Sequence, residues 1–256
     1  MPQLISGLDS EAVQACKDLF GKLTKKKLVV VEPMEAELAK LFSNTWRYIT
    51  FAIGNQFYMT AADHGLNYHN IYKAMVTDYE RNKDLPRPGF AAGPCLLKDT
   101  MQLAAFNNNN FFLGHAAMLV NEGFPNYLIQ KLVKAVPDLH NKTIGILGMA
   151  FKAESDDARD SLSYKLKKIA ATKCRAVLCH DFYIKDSSFS SLEDTLEKSD
   201  ILILGAPHKE YAKIDLAKYQ NKILGGPEIK LVSSNNLEIG QKNNKLFVDV
   251  WNFWKK

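Results

Sequence analysis

From Asn141 onward the chain alternates strand-length apolar runs with helix-length amphipathic ones, and few folds accommodate that rhythm. TIGILGMAF (143–151), AVLCHD (176–181) and DILILGAP (200–207) read as buried strands, separated by helices at SLSYKLKKIAA (161–171) and SLEDTLEKS (191–199). Two weaker strands are expected at IKLVSS (229–234) and KLFVDV (245–250). Strands alternating with helices form βαβ units, and their right-handed crossovers give a parallel, doubly wound sheet with helices on both faces. Ligands of such sheets lie at the carboxyl ends of the strands. Phe151, Lys152 and the polar stretch ESDDARDS (154–161) fall there, although a charged loop of this kind is also what simple solvation produces. Gly145 and Gly148 supply the first two glycines of a dinucleotide fingerprint, but the third is absent, so the motif alone is a weak sign of a cofactor site.

The preceding residues have a different texture. Between Pro33 and His64 there is no further proline, Gly54 is the only glycine, and Gly65 follows as a C-cap, which predicts one helix of about eight turns. Lys40, Asn44, Tyr48, Phe51 and Asn55 share one face of it, with Lys40 and Asn44 adjacent and placed to line a cleft. Further helices are expected over 68–79, 98–106 and 112–136, the last ended by Pro137. Upstream, 6–21 reads as a short amphipathic helix with Gly21 as its stop, and KLVVV (27–31) as a strand with no earlier strand to pair with. The expected division is therefore 1–32 as the end of a preceding α/β unit, 33–138 as a helical block, and 139–256 as the α/β domain.

LPRPGFAAGPCLLKDT (85–100) joins the helices of the block. Pro86, Pro88, Gly89, Gly93 and Pro94 forbid regular structure, so the backbone is aimed, and it delivers Cys95 to the start of a helix with Lys98 and Asp99 within one turn. A thiol at a helix start beside a cation is in an activating setting, whereas the ordinary fate of a free cysteine is burial in a core.

Composition narrows the function. At 256 residues, 46% hydrophobic and 24% charged, the chain has the make-up of a globular protein with no transmembrane run and no signal-peptide core, and a cytoplasmic location is expected. Cys16, Cys95, Cys174 and Cys179 show no C-x-x-C spacing and the six histidines are scattered, so no metal site is expected. The net charge of +5 comes from dispersed lysines without interleaved aromatics, which argues against nucleic acid.

Taken together, AELAKLFSN (36–44) with Gly54-Asn55, GPCLLKD (93–99), GILGMAFKAESDDARDS (145–161) and VDVWN (248–252) resemble the UDP-glucose/GDP-mannose dehydrogenase family, in family order and across nearly the whole chain. The resemblance implies an α/β protein: a helical central domain with one long helix, followed by a Rossmann-like doubly wound domain for the nucleotide sugar. It also implies that the family's N-terminal NAD-binding domain is represented only by its last helix and strand. Family chemistry is a double oxidation of a sugar C6 hydroxyl to a carboxylate, with NAD taking both hydrides, UDP-glucose being the favoured substrate type. A thiolate would hold the intermediate as a thiohemiacetal and then a thioester. By position Cys95 is that nucleophile, Lys40 and Asn44 stabilise the oxyanion, and Asp99 assists water or proton transfer. Phe151, Lys152, Phe90 and Gly93 are expected on the substrate, Arg159 and Lys98 on NAD, and Arg81 or Arg87 in a neighbouring subunit's sugar site. The implied partners are a nucleotide sugar, a second copy joined through the long helix, and a separate NAD-binding chain. The 256 residues alone are expected to be inactive in redox chemistry, and the competing reading is a nucleotide-sugar-binding or dimerisation module. Ala91-Ala92 stands where family loops commonly carry glycine, which bears on the sugar accepted.

Overall fold

The computed structural model describes residues 3–90, 93–215, 218, 222–224 and 245–254. The chain opens with strand β1 (Gln3–Ile5), helix α1 (Ser10–Leu23) and strand β2 (Leu28–Val30). β1 pairs in parallel with β2, Leu4 opposite Val29, so the expectation that β2 lacks an earlier partner is corrected. Three apolar or amide residues had too short a pattern to read as a strand. α1 starts at Asp9, whose side chain accepts the Ala12 N–H (2.8 Å), and it runs through Gly21 to Leu23 because one glycine weakens a helix without ending it.

The long helix forms as expected. α2 (Pro33–Asp63) has proline in its first turn and a reciprocal capping box between Glu32 and Glu35, so its free amides are satisfied where the chain turns in. It packs against α4 (Leu96–Phe106) and α5 (Phe112–Ala135), with α3 (Tyr68–Val76) beside its carboxyl end. α5 carries Pro125 in its interior and continues past it.

β3 (Thr143–Leu147) opens the second half and is followed by α6 (Leu162–Ala171), β4 (Ala176–His180), α7 (Leu192–Lys198) and β5 (Ile201–Leu204). β6 (Lys222–Leu224) and β7 (Leu246–Val248) complete a parallel sheet ordered β4-β3-β5-β7-β6. The chain leaves β3 toward β4 on one side and returns to β5 on the other. That reversal is the switch point at which a doubly wound sheet opens a crevice. β6 was not anticipated, and the strand expected at 229–234 lies outside the described residues. The helical block and the sheet share one apolar cluster, in which Tyr58, Phe90, Phe124 and Leu132 meet Ile144, Ile146, Met149 and Leu166. Among the described residues no helix is long and apolar enough to cross a membrane.

Candidate active site

Periodicity on α2 and the start of α4 bring three of the anticipated side chains to one carboxylate, that of Asp99. Asp99 lies one turn beyond Cys95, its amide hydrogen-bonded to the Cys95 carbonyl (2.8 Å), and its side chain is buried. Asn44 Nδ2 donates to Asp99 Oδ2 (2.5 Å), Lys40 Nζ stands 3.7 Å from the same oxygen, and Lys98 Nζ is 2.8 Å from Oδ1. Burial alone would raise the Asp99 pKa, but the hydrogen bonds from Lys98 and Asn44 and the charges of Lys98 and Lys40 hold it below the ordinary carboxylate value. Asp99 is therefore ionised, and it fixes two cations and an amide around the start of α4. Cys95 occupies the N-cap of that helix, its thiol makes no capping bond, and the residue is exposed.

The loop that presents Cys95 is fastened from α2. A Cβ on Gly54 would stand 2.8 Å from the Pro86 carbonyl oxygen, so glycine there lets the loop backbone lie against the helix. Next along the helix, buried Asn55 accepts the Gly89 N–H on Oδ1 (2.8 Å) and donates to Asn121 Oδ1 (2.9 Å). Asn121 in turn donates to the Tyr48 carbonyl (2.9 Å). Trp251 of the VDVWN segment lays its indole against Gly89 and donates Nε1–H to the Leu204 carbonyl at the end of β5 (3.1 Å). The carboxyl end of the sheet thus touches the loop directly.

A second contact joins the halves at Gly93. Its φ of 116° lies in a region that side-chain-bearing residues rarely adopt, and a Cβ would meet the Phe151 ring at 2.7 Å. Phe151 consequently closes over the loop, with Lys152 Nζ 5.3 Å from its ring centroid. Arg159 is exposed and forked onto Asp157 (2.7–3.1 Å), which drives the Asp157 pKa down to about 2. The Arg159 pKa is raised, first by that hydrogen bond and then by the Asp157 charge. Beside Gly93 a cleft of about 290 Å³ opens, lined by Leu97 of α4 and by Glu122, Ser161, Tyr164 and Lys168.

Three further anticipated positions stand as follows. Phe90 is 5% exposed and packs edge-on against Phe124 (6.0 Å), so its ring belongs to the core and anchors the loop. Lys98, expected near the cofactor, is paired with the adjacent Asp99. Arg81 is exposed on the turn Glu80–Asn82, while Arg87 lies over the Tyr72 ring at 5.3 Å, and among the described residues neither is bonded to the Asp99 cluster. Asn121, Glu122 and Asp157 were not anticipated. Asn121 and Glu122 sit inside an apolar helix, where polar side chains amid burial were the available signal. Among the described residues no group of three or more His, Cys, Asp or Glu is placed to hold a metal ion.

Comparison with known proteins gives the chain's family. Residues 34–122 match the central domain of the UDP-glucose/GDP-mannose dehydrogenase family, and residues 145–232 match that family's UDP binding domain. The chain belongs to this family. It is 28% identical over 220 residues to the UDP-N-acetyl-D-mannosamine dehydrogenase of Pyrococcus horikoshii, covering 83% of this chain and 51% of that protein. The structure of UDP-D-ManNAc dehydrogenase from Pyrococcus horikoshii superposes with a TM-score of 0.79 at 23% identity, over 96% of this chain and 59% of that one. A UDP-glucose dehydrogenase from Pyrobaculum islandicum gives a TM-score of 0.76 at 22% identity, over 99% and 59%. The chain spans about half the length of the curated relatives it matches. The family's members act as dehydrogenases on nucleotide sugars by their names, and the fold seen here is theirs.

Proposed function

We propose that these residues form the cysteine-bearing and nucleotide-sugar-binding part of an NAD-dependent nucleotide-sugar 6-dehydrogenase. The observation that carries the reading is the convergence of Lys40, Asn44 and Lys98 on buried Asp99, one turn from an exposed cysteine at a helix start. In this reading the nucleotide lies at the carboxyl ends of β3 and β5, with Phe151 and Lys152 against it. The sugar C6 then reaches Cys95, whose sulfur adds to the C6 aldehyde carbon as the oxygen takes the developing negative charge. Lys40 and Asn44 face that charge. A carboxylate held below its ordinary pKa is a poor proton acceptor, so Asp99 acts chiefly by orienting those two donors.

NAD, when bound, accepts the hydrides. Arg159, exposed and paired with Asp157, has a guanidinium suited to a diphosphate; Arg159 and Lys98, which is paired with Asp99, are the residues of this chain that would meet the cofactor. The substrate type favoured from sequence was UDP-glucose. The most similar curated relative cited above acts, by its name, on an N-acetylated sugar, so the UDP-N-acetylhexosamine type is the better expectation here.

Assembly follows from α2. Phe42, Trp46, Ile53 and Phe57 recur at helical spacing and are all exposed, a stripe that a second copy of the chain would cover. The family's arginine contribution from a neighbouring subunit would then come from Arg81 or Arg87.

Binding tests the reading. Calorimetry with UDP-N-acetyl-D-mannosamine, UDP-glucose, UDP and GDP-mannose should give heat for the uridine ligands, and Lys152→Ala should weaken binding by about 1.5–3 kcal/mol through loss of a charge-assisted bond. No heat from any of them would refute it. Tested by itself, the 256-residue polypeptide should reduce no NAD until a family NAD-binding unit is supplied, because hydride transfer requires the reacting atoms about 3–3.5 Å apart. In a reconstituted enzyme Cys95→Ser should block the second oxidation more than the first.

A further inference from the structure

The segment from Phe151 to Arg159 leaves the end of β3 and rejoins the fold at α6; one buried residue holds the two backbone amides just before it, and a second holds an amide within it. Asp181, just past the end of β4, accepts on Oδ2 the N–H groups of Met149 (2.6 Å) and Ala150 (3.0 Å) and the Nε2–H of His208 (3.1 Å). Its Oδ1 accepts from the amides of Tyr183 (2.8 Å) and Ile184 (3.0 Å). Burial would raise the pKa of this carboxyl, yet the His208 bond and the amides of Tyr183, Ile184 and Met149 hold it far below the ordinary value. Asp181 is thus an ionised carboxylate whose oxygens are directed at backbone.

His208 extends the grip. It follows β5, is fully buried, and its Nδ1 lies 2.9 Å from the Glu154 amide nitrogen. Accepting that N–H requires a free lone pair, so the ring is neutral and its single proton sits on Nε2, toward Asp181. Glu154 has a left-handed backbone (φ 56°), and its side chain accepts the Lys209 N–H (2.9 Å) and pairs with Lys209 Nζ (3.1 Å). Ser161 Oγ closes the segment by donating to the Ala150 carbonyl (3.2 Å).

We propose that Asp181 and His208 are positioning residues that strap the Phe151–Arg159 segment to the ends of β4 and β5. A buried carboxylate and a buried imidazole are costly ways to fill a core, and apolar residues of the same size would fill it better. Their bonds go to the backbone of Met149, Ala150 and Glu154, which flank Phe151 and Lys152. The segment's own sequence is polar, and none of its residues is fully buried, so it has little apolar surface to order it. The consequence for ligand binding rests on the nucleotide-sugar reading above; the ordering of the segment does not.

Two substitutions separate the two bonds of the ring. In His208→Gln the terminal amide nitrogen takes the place of Nε2 and still donates to Asp181, but nothing accepts the Glu154 N–H. In His208→Asn the amide oxygen takes the place of Nδ1 and accepts from Glu154, while Asp181 loses its donor. Amide hydrogen exchange by mass spectrometry, thermal melting and UDP titration are measured on the full chain. His208→Gln should raise exchange within 152–158 while the sheet stays protected, and should lower UDP affinity roughly three- to tenfold. His208→Asn should keep 152–158 protected and bind UDP more tightly than His208→Gln. Unchanged exchange at 152–158 in His208→Gln would overturn the strap, as would a loss of protection spread evenly over the sheet with a lowered Tm. If the unsubstituted chain binds no UDP, the nucleotide-sugar reading falls, and the exchange pattern still decides the strap.

Discussion

Asn55→Ala is the sharpest test of how the cysteine loop is held. The Asn55 side chain is fully buried, accepts the Gly89 N–H and donates to Asn121. Alanine leaves the Gly89 amide buried without a partner, at a cost of about 1–3 kcal/mol, and the loss of the donor to Asn121 adds about 1 kcal/mol. Alanine is the better helix former by roughly 0.6 kcal/mol, which offsets part of this. The net loss is about 1.5–3.5 kcal/mol, set against a total stability of about 5–15 kcal/mol for a domain. Urea unfolding followed by tryptophan fluorescence should show a lowered midpoint at unchanged slope. Because Asn55 and Asn121 act as one relay, Asn55→Ala and Asn121→Ala should fail to add, with a coupling of about 0.5–3 kcal/mol. A loss under about 0.5 kcal/mol, or strict additivity, would refute the claim that this relay fastens the loop.

Gly93→Ala should destabilise by about 1–3 kcal/mol through its backbone conformation alone and should also weaken UDP binding, since the new Cβ displaces Phe151; melting and titration on the same sample read both. Trp46→Glu combined with Phe57→Glu should convert a dimer to a monomer in sedimentation velocity without lowering helicity, and an unaltered dimer would move the interface off α2. The Asp181 pKa is depressed in the folded state, so its contribution is fully present above the ordinary aspartate value near ~4 and is lost as pH falls below it. Acid unfolding should therefore be less steep below about pH 4 in Asp181→Asn than in the unsubstituted chain, measured as Tm against pH.

What the sequence disclosed was whatever depends on near neighbours along the chain. The period of α2 alone puts Lys40, Asn44 and Asn55 on one face, and the spacing of Cys95 and Asp99 alone puts them one turn apart. The alternation after Asn141 was enough for a parallel sheet. Three-residue strands such as β1 and β6 were missed because a period of two needs more residues than that to register. The contact of Phe90 with Phe124 was not legible for a related reason: a phenylalanine in a proline-rich loop carries no local sign of facing a ring across the core.

The contacts that assemble the site are of the other kind, between segments far apart in sequence, and they form a single chain of restraint. Asn55 holds the start of the cysteine loop to α2, and Gly93 lets Phe151 pack on its end. Asp181 and His208 hold the backbone on either side of Phe151 to the sheet. Phe151 is therefore the hinge pin between two independently anchored pieces of backbone, one carrying the thiol and the other carrying Lys152 and Arg159. If both anchors set the same loop-to-segment geometry, releasing either one already lets the two pieces separate. The losses in UDP affinity from Asn55→Ala and His208→Gln should then be less than additive in the double variant, although their losses in stability, at sites with no shared partner, should add. Additive affinity losses would mean that the ligand feels the two halves separately, and the contact at Gly93 would then be packing alone.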